Sequence, residues 1–319
     1  MRRVAPAIAL FFLAPLFGEY LLGNLTVSDL GSLPFLGLLY GAGAVLIRET
    51  ARRAGRGSAT MLLLGVAYAL IEECLVDQML FNHSYFVGQA EASDTVVPGI
   101  GVDALLAIVV VAMHAVWSTY IPITIVEALV PARRTTPWLR TPGLAITAAV
   151  FVGGSTWLGY VIYQETGFFA TPAQLVGSAA VVAGLIAAAF LVRGTAAGAD
   201  PRTAPKPWLA GVFAFGTSSL FMLTEELPGW AEVAGCLALV ALFAAVVRGW
   251  SRRTGWDERH RLALVGGAVF TYAWLGLVMV PETGPKSTAE HIGGVVLACA
   301  AVCLWAAAQV PRRSCSCAG

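Results

Sequence analysis

The chain is short of charge. Only 12% of its 319 residues are Asp, Glu, Lys or Arg, while 58% are hydrophobic and the mean hydropathy is +0.75. Soluble domains carry about 25% charged residues, so one soluble core is excluded. Lysine is almost missing, with two against eighteen arginines, and alongside abundant Ala and Gly this points to a GC-rich bacterial genome. Metal-type Cys-x-x-Cys spacing is absent. Of six cysteines, Cys74, Cys236, Cys299 and Cys303 fall in apolar stretches, while Cys315 and Cys317 sit in the tail. There Ser316 holds the position where a prenylation signal needs Cys. The first apolar run ends in Gly18-Glu19-Tyr20 rather than a small-x-small cleavage site, so it reads as a retained helix. No strand precedes Gly37 or Gly41-Ala42-Gly43, which excludes a nucleotide loop and leaves close helix packing as their use.

What is present is apolar length. Runs of about 20 apolar residues span a bilayer as helices. Ten occur, near Ala5 to Gly23, Leu30 to Ile47, Thr60 to Phe81, Val102 to Val130, Leu144 to Tyr163, Ala173 to Val192, Trp208 to Leu223, Trp230 to Val247, Leu262 to Val280 and Ile292 to Val310, the second and seventh being short. If each crosses once from a cytoplasmic N-terminus, 19 of the 20 basic residues fall on one side and only Lys286 on the other. Positive charge in short loops resists translocation. The expected fold is therefore all-α, a polytopic helical membrane protein of about ten transmembrane helices with both termini inside, multi-pass in the bacterial inner membrane. Its partner is the lipid bilayer. The basic loops are topology signals, and no nucleic acid is expected.

The second half repeats itself. Trp157-Leu158-Gly159 through Glu165-Thr166-Gly167 matches Trp274-Leu275-Gly276 through Glu282-Thr283-Gly284 at seven of eleven positions, with Gly153-Gly154 and Gly266-Gly267 ahead of each tryptophan. Thr224-Glu225-Glu226 is a fainter echo. These helices run in one direction, so the repeat is a parallel one. It suggests residues 1–141 as a four-helix unit and residues 142–319 as a six-helix unit of three parallel hairpins. A packing role for the repeat stands beside a ligand surface of Glu165, Glu226 and Glu282. The longest loop, Asn82 to Gly101, reads as an external cap.

The chemistry lies inside the membrane. The third stretch carries Glu72, Glu73 and Asp77 in an otherwise apolar run, the first two near its midpoint. A carboxylate at the bilayer centre costs roughly 2.5 to 3.5 kcal/mol even on the lenient insertion scale, and no Lys or Arg falls in any span to pair with it. Protons, a cation, partners or a watery cleft must answer. Glu73 and Asp77 share a face at i,i+4, whereas Glu72 faces the way of Val76, Met79 and His83. The next stretch brings His114 to within about 5 Å of the same depth, with Trp117 and Ser118 one turn on. Two carboxylates and an imidazole can deprotonate a water, relay protons, or hold a divalent cation, though no cofactor is required. Glu19, Arg48 with Glu49, and Glu127 read as interfacial anchors or local ion pairs.

A Glu-Glu pair on one membrane helix followed by a histidine on the next resembles the bacterial CAAX-prenyl-protease-like family, also called the abortive-infection family, and its glutamate-dependent intramembrane protease relatives. Glu72 and Glu73 match the pair of the Glu-Glu-x-x-x-Arg motif, Asp77 standing at its Arg position, and His114 matches the histidine of Phe-x-x-x-His, Val110 standing at its Phe. The resemblance implies a hydrolase in which Glu72 or Glu73 activates water and His114 positions it, acting on a membrane-associated peptide. The residues alone leave two other readings open: a proton- or cation-coupled transporter using Glu72, Glu73 and Asp77, and a membrane scaffold or immunity protein without chemistry.

Overall fold

The computed structural model describes residues 4–82, 94–192, 198–224, 227–281 and 284–310. His83, Glu225, Glu226 and Glu282 lie outside the described residues, as do Arg2, Arg3, Arg193, Arg312, Arg313, Cys315 and Cys317. Among the described residues there are ten apolar helices: α1 (Ala5–Tyr20), α2 (Val27–Arg53), α3 (Ser58–Val76), α4 (Ala104–Leu129), α5 (Thr141–Thr166), α6 (Pro172–Leu191), α7 (Pro207–Met222), α8 (Trp230–Ser251), α9 (Glu258–Val278) and α10 (Thr288–Gln309). Eight are long enough to cross a membrane, and α1 and α7 are the short ones. The expectation of a short second span is corrected: α2 runs 27 residues, because a 3-10 turn over Val27–Ser32, capped by Thr26 with Asp29 in a capping box, starts it early.

Loop contacts sort the connections into two ends. At the arginine-rich end, Asp200–Thr203 and Arg253–Thr254 pair as short parallel strands, Arg134 meets Glu258 at 2.9 Å, and Arg261 donates to Ser58 Oγ at 3.1 Å. At the other end, Thr26 donates to Glu290 at 3.0 Å, Gln174 to the Ile100 carbonyl at 3.1 Å, and Lys286 to the Gly276 carbonyl at 2.6 Å. Loops that should share a side of the bilayer touch each other, as ten alternating crossings require. Four of the five helices that start at the arginine-poor end begin with a side-chain cap from Thr26, Asp103, Thr171 or Ser287, which satisfies orphan amides where no basic loop is at hand.

Helices α3 and α9 form the interior. More than half of each central window is buried, 61% and 56%, against 6% for α5, whose Ile146 and Val152 face outward. Gly276 shows why α9 fits: a Cβ there would lie 2.0 Å from the Leu21 carbonyl, so only glycine lets the end of α1 press on α9. Trp117 of α4 stacks on Tyr272 of α9 with centroids 4.5 Å apart and donates to the Ala268 carbonyl at 2.8 Å. On the other flank, α3 packs on α6, where Thr60 donates to the Ala189 carbonyl at 2.9 Å.

The third span stops early. It was expected to run to Phe81 but ends at Val76, and Gln78 takes a left-handed φ of 59°. Asp77 Oδ1 accepts from the Met79 amide at 3.0 Å, and Gln78 Oε1 accepts from the Ala170 amide at 2.6 Å. The chain then continues through buried Met79, Leu80, Phe81 and Asn82. Non-helical backbone at membrane depth is tolerated only inside protein, and here it is enclosed.

Candidate functional site

Four helical segments meet around His114, and each is wound wide. Leu16–Tyr20 in α1, Gly37–Gly41 in α2, Glu72–Val76 in α3 and His114–Tyr120 in α4 are π-helical turns. Their i→i+5 bonds run from the amides of Leu21, Ala42, Asp77 and Ile121 to the carbonyls of Leu16, Gly37, Glu72 and Val116. Such turns are well under 1% of residues in globular proteins and cluster at functional sites. Each of the four carries a member of the same side-chain cluster: Glu19, Tyr40, the pair Glu72 and Glu73, and His114.

The early end of α3 places Glu72 and Glu73 in its last turn rather than at its midpoint, yet their depth is kept. They face His114, ten residues into α4, about 15 Å from that helix's end at 1.5 Å per residue and so near the middle of a ~30 Å hydrocarbon core. His114 Nε2 lies 3.4 Å from Glu72 Oε2, and Nδ1 lies 3.3 Å from Glu73 Oε1. Both carboxylates are buried, with 3% and 1% of their surface exposed. Among the described residues their ion pairs are with His114.

Beyond the imidazole the chain of polar groups continues. Nδ1 lies 2.8 Å from the Val110 carbonyl, which can only accept, so Nδ1 carries a proton. Nε2 lies 3.1 Å from the Tyr40 hydroxyl, which donates to Glu19 Oε1 at 2.6 Å, and Asn24 donates to Glu19 Oε2 at 3.1 Å. While Tyr40 donates to Glu19, its oxygen can accept only from a protonated Nε2, giving an imidazolium between Glu72 and Glu73. One concerted shift converts this state. Glu19 takes the Tyr40 proton as Tyr40 takes the Nε2 proton, leaving neutral Glu19, an unchanged tyrosine and neutral imidazole.

The cluster is also unfinished. Glu73 Oε2 is buried without a hydrogen-bond partner, as is Tyr272 Oη, while Tyr68 Oη and the imidazole both approach Glu72 without a full hydrogen bond to its Oε2. The Tyr68 ring lies 6.4 Å from His114 and 6.3 Å from Tyr40. Buried polar atoms are normally satisfied, so these loosely held oxygens mark room for a proton, a water or a small polar ligand. Among the described residues no group of three or more His, Cys, Asp or Glu is arranged to hold a metal ion.

The sequence-derived candidates separate here. Glu72, Glu73 and His114 come together. Asp77 lies past the helix end and is engaged with the Met79 amide. Ser118 is buried against α1, where a Cβ on Gly18 would lie 2.6 Å from its Oγ. Glu19, read from sequence as an interfacial anchor, is a member of the cluster. Tyr40 and Tyr68 gave no sequence signal at all, since a tyrosine in an apolar helix is ordinary.

A second polar cluster lies toward the arginine-rich end. Arg48 is fully buried and bonds Glu49 at 2.5 Å, Glu127 at 3.0 Å and the carbonyls of Arg133 and Arg134, with the Trp138 ring 3.6 Å away. Arg52 holds Glu127 as well, and Glu49 accepts from the amides of Trp138 and Leu139. The expected local ion pairing is present, in the protein interior rather than at an interface.

A family model matches residues 8–310. The chain belongs to that uncharacterized membrane protein family. The match covers nearly the whole chain and corrects the resemblance drawn from three residues: it is not to the CAAX-prenyl-protease-like family. The departures have a physical sense, because Asp77 and Val110 supply neither the cation nor the aromatic ring of that family's motifs. No curated protein and no solved structure matches the chain.

Proposed function

We propose that this multi-pass membrane protein is a proton-coupled transporter whose coupling centre is Glu72, Glu73 and His114, reached through Tyr40 and Glu19. The observation that carries this reading is the continuous chain from Asn24 through Glu19, Tyr40 and His114 to the two buried carboxylates. Every link but the terminal Asn24 is titratable or a hydroxyl, which is what stepwise proton transfer needs. Intramembrane ionisable groups that pair with one another mark proton pathways in pumps and transporters. All these residues fall in 1–141, so that unit carries the site and 142–319 supports it. The arginine bias of the sequence favours a bacterial inner membrane as its location.

The test is proteoliposomes loaded with a pH-sensitive dye and offered a panel of amino acids, peptides, sugars and organic cations under proton gradients of both signs. The wild type is expected to move protons with at least one solute, and Glu72→Gln, His114→Gln and Tyr40→Phe to lose that movement. Proton movement independent of every solute, in both directions, overturns the reading.

One observation favours a second reading. The loosely held oxygens of Glu72 and Glu73 beside Tyr68 Oη are suited to holding a water, and a carboxylate-held water is a hydrolytic nucleophile. On that reading the substrate is a membrane-associated peptide, and a Glu72→Gln, Glu73→Gln variant loses peptide processing in the same liposomes while Tyr40→Phe retains most of it. The differing response of Tyr40 separates the two.

A further inference from the structure

One face of α9 meets the helices of the His114 cluster. Ala268, Tyr272 and Gly276 lie four residues apart and so line up along one side of that helix. The Ala268 carbonyl accepts from the Trp117 indole at 2.8 Å, and Gly276 lies so close to α1 that a Cβ there would sit 2.0 Å from the Leu21 carbonyl. Tyr272 is held between these two contacts, its ring stacked on Trp117 with centroids 4.5 Å apart and planes 7° apart. Trp117 belongs to the wide turn of α4 that starts at His114, and Leu21 directly follows the wide turn of α1 that contains Glu19. The ring is wedged between the segments that carry Glu19 and His114.

Its hydroxyl does not suit its surroundings. Tyr272 is fully buried, and its Oη has no hydrogen-bond partner. The side chains clustered with it, among them Phe17, Leu21, Ile121, Val269 and Ala301, are apolar, so phenylalanine would fill the same space without the cost of a buried unpaired hydroxyl. Glu19 is the charged group whose field reaches that hydroxyl. The other titratable groups joined to Glu19, Tyr40 and beyond it His114, are already linked in the proton chain.

We propose that Tyr272 is a positioning residue of the centre, its hydroxyl supporting the charged form of Glu19 through a bridging water. The inference rests on the proton-coupling reading of the same cluster and gives α9 a part in it. A carboxylate accepts from such a donor more strongly than a carboxylic acid does, so the hold on Tyr272 slackens when Glu19 takes the Tyr40 proton. Helix α9, and with it residues 142–319, thereby registers the proton count of the centre in residues 1–141.

The test is a pH titration of the His114 ring resonance, identified by its loss in His114→Gln, on the full chain in detergent. Removing a donor from charged Glu19 favours the state in which Glu19 holds the proton and the imidazole is neutral. Tyr272→Phe is therefore expected to lower the His114 midpoint by about one pH unit, the size of one hydrogen bond to a charged group, while melting at or above the wild-type temperature. In a Glu19→Gln background Tyr272→Phe should leave the midpoint where it is. An unmoved midpoint in Tyr272→Phe, an equal shift in both backgrounds, or a variant that melts well below the wild type overturns the proposal. The titration needs no transport, so it separates the two readings. A shifted midpoint in a protein that moves no protons with any solute removes the transporter and keeps the role of Tyr272, and solute-linked proton movement with an unmoved midpoint does the reverse.

Discussion

Two polar networks are buried in helices α1 to α4, and they are finished differently. Around Arg48 every carboxylate has a cation and every guanidinium has acceptors: Arg48 and Arg52 share Glu127, Glu49 takes two backbone amides, and two carbonyls close the rest. Around His114 one imidazole serves three carboxylates, two directly and one through Tyr40, and oxygens are left over. Buried charge is costly unless paired and hydrogen-bonded. A network that only holds helices together has every reason to be completed, as the first is. One that must change its proton count keeps spare capacity, as the second does.

Breaking the completed network should give the largest effect. Arg48→Met keeps the bulk of the side chain but takes from Glu49 its shortest ion pair, leaving Arg53 at 4.0 Å, and from the Arg134 carbonyl its donor, and removing one partner from a buried pair typically costs about 3–5 kcal/mol. Denaturation of the purified variant in mild detergent is expected to show that loss, up to failure to accumulate as a folded monodisperse protein. If Arg48→Met melts with the wild type, the network is not structural and the contrast collapses. Glu127→Gln should fall next, at about 1.5–3 kcal/mol for weakened hydrogen bonds to charged groups, because Arg48 retains Glu49 while Arg52 loses its counter-charge. The same denaturation assay reads both, and their order matters as much as their size.

How far the sequence reaches differs between fold and site. The ten crossings are legible because apolar length and arginine placement are local signals that no tertiary contact alters. The repeat is legible too, yet its two copies live differently. Trp274 of α9 donates to Ser219, whereas its counterpart Trp157 of α5 is 46% exposed. Similar motifs leave burial to whatever packs beside them. In the site, Glu72, Glu73 and His114 are legible because a carboxylate or imidazole in an apolar run is anomalous. Glu19 is misread because it lies at a helix end, where carboxylates are cheap. The π-helical turns leave no composition signature, and the left-handed Gln78 that ends α3 gives no warning, as Gly or Asn there would have done.

Tyr40→Phe tests the link between the centre and Glu19. It removes one hydroxyl shared by His114 and Glu19, worth about 1 kcal/mol in stability, and leaves the direct contacts of Glu72 and Glu73 to His114 in place. The diagnostic readout is the His114 ring resonance by NMR in labelled protein. In the variant it should follow bulk pH without responding to Glu19→Gln, while in the wild type Glu19→Gln should shift it. An imidazole that ignores Glu19 in both backgrounds would mean the tyrosine carries no proton.

The smallest stability effect is expected where the acids are most buried. Glu73→Gln preserves shape and removes a charge whose second oxygen has no hydrogen-bond partner. A carboxamide has the volume of a carboxyl and the charge of its protonated form, so denaturation should shift by less than about 1 kcal/mol in either direction, the scale of one hydrogen bond, and the Glu72→Gln, Glu73→Gln pair by little more, because the imidazole can give up its extra proton once both acids are neutral. Against the several kcal/mol forecast for Arg48→Met, that near-silence is informative only when joined to function: the same pair should abolish proton-linked movement in liposomes. A large stability loss together with unchanged activity would make the His114 cluster a second structural network, equivalent to the one around Arg48. Stability kept and activity lost would mean that the spare oxygens are held for a proton, since nothing in the packing requires them to be charged.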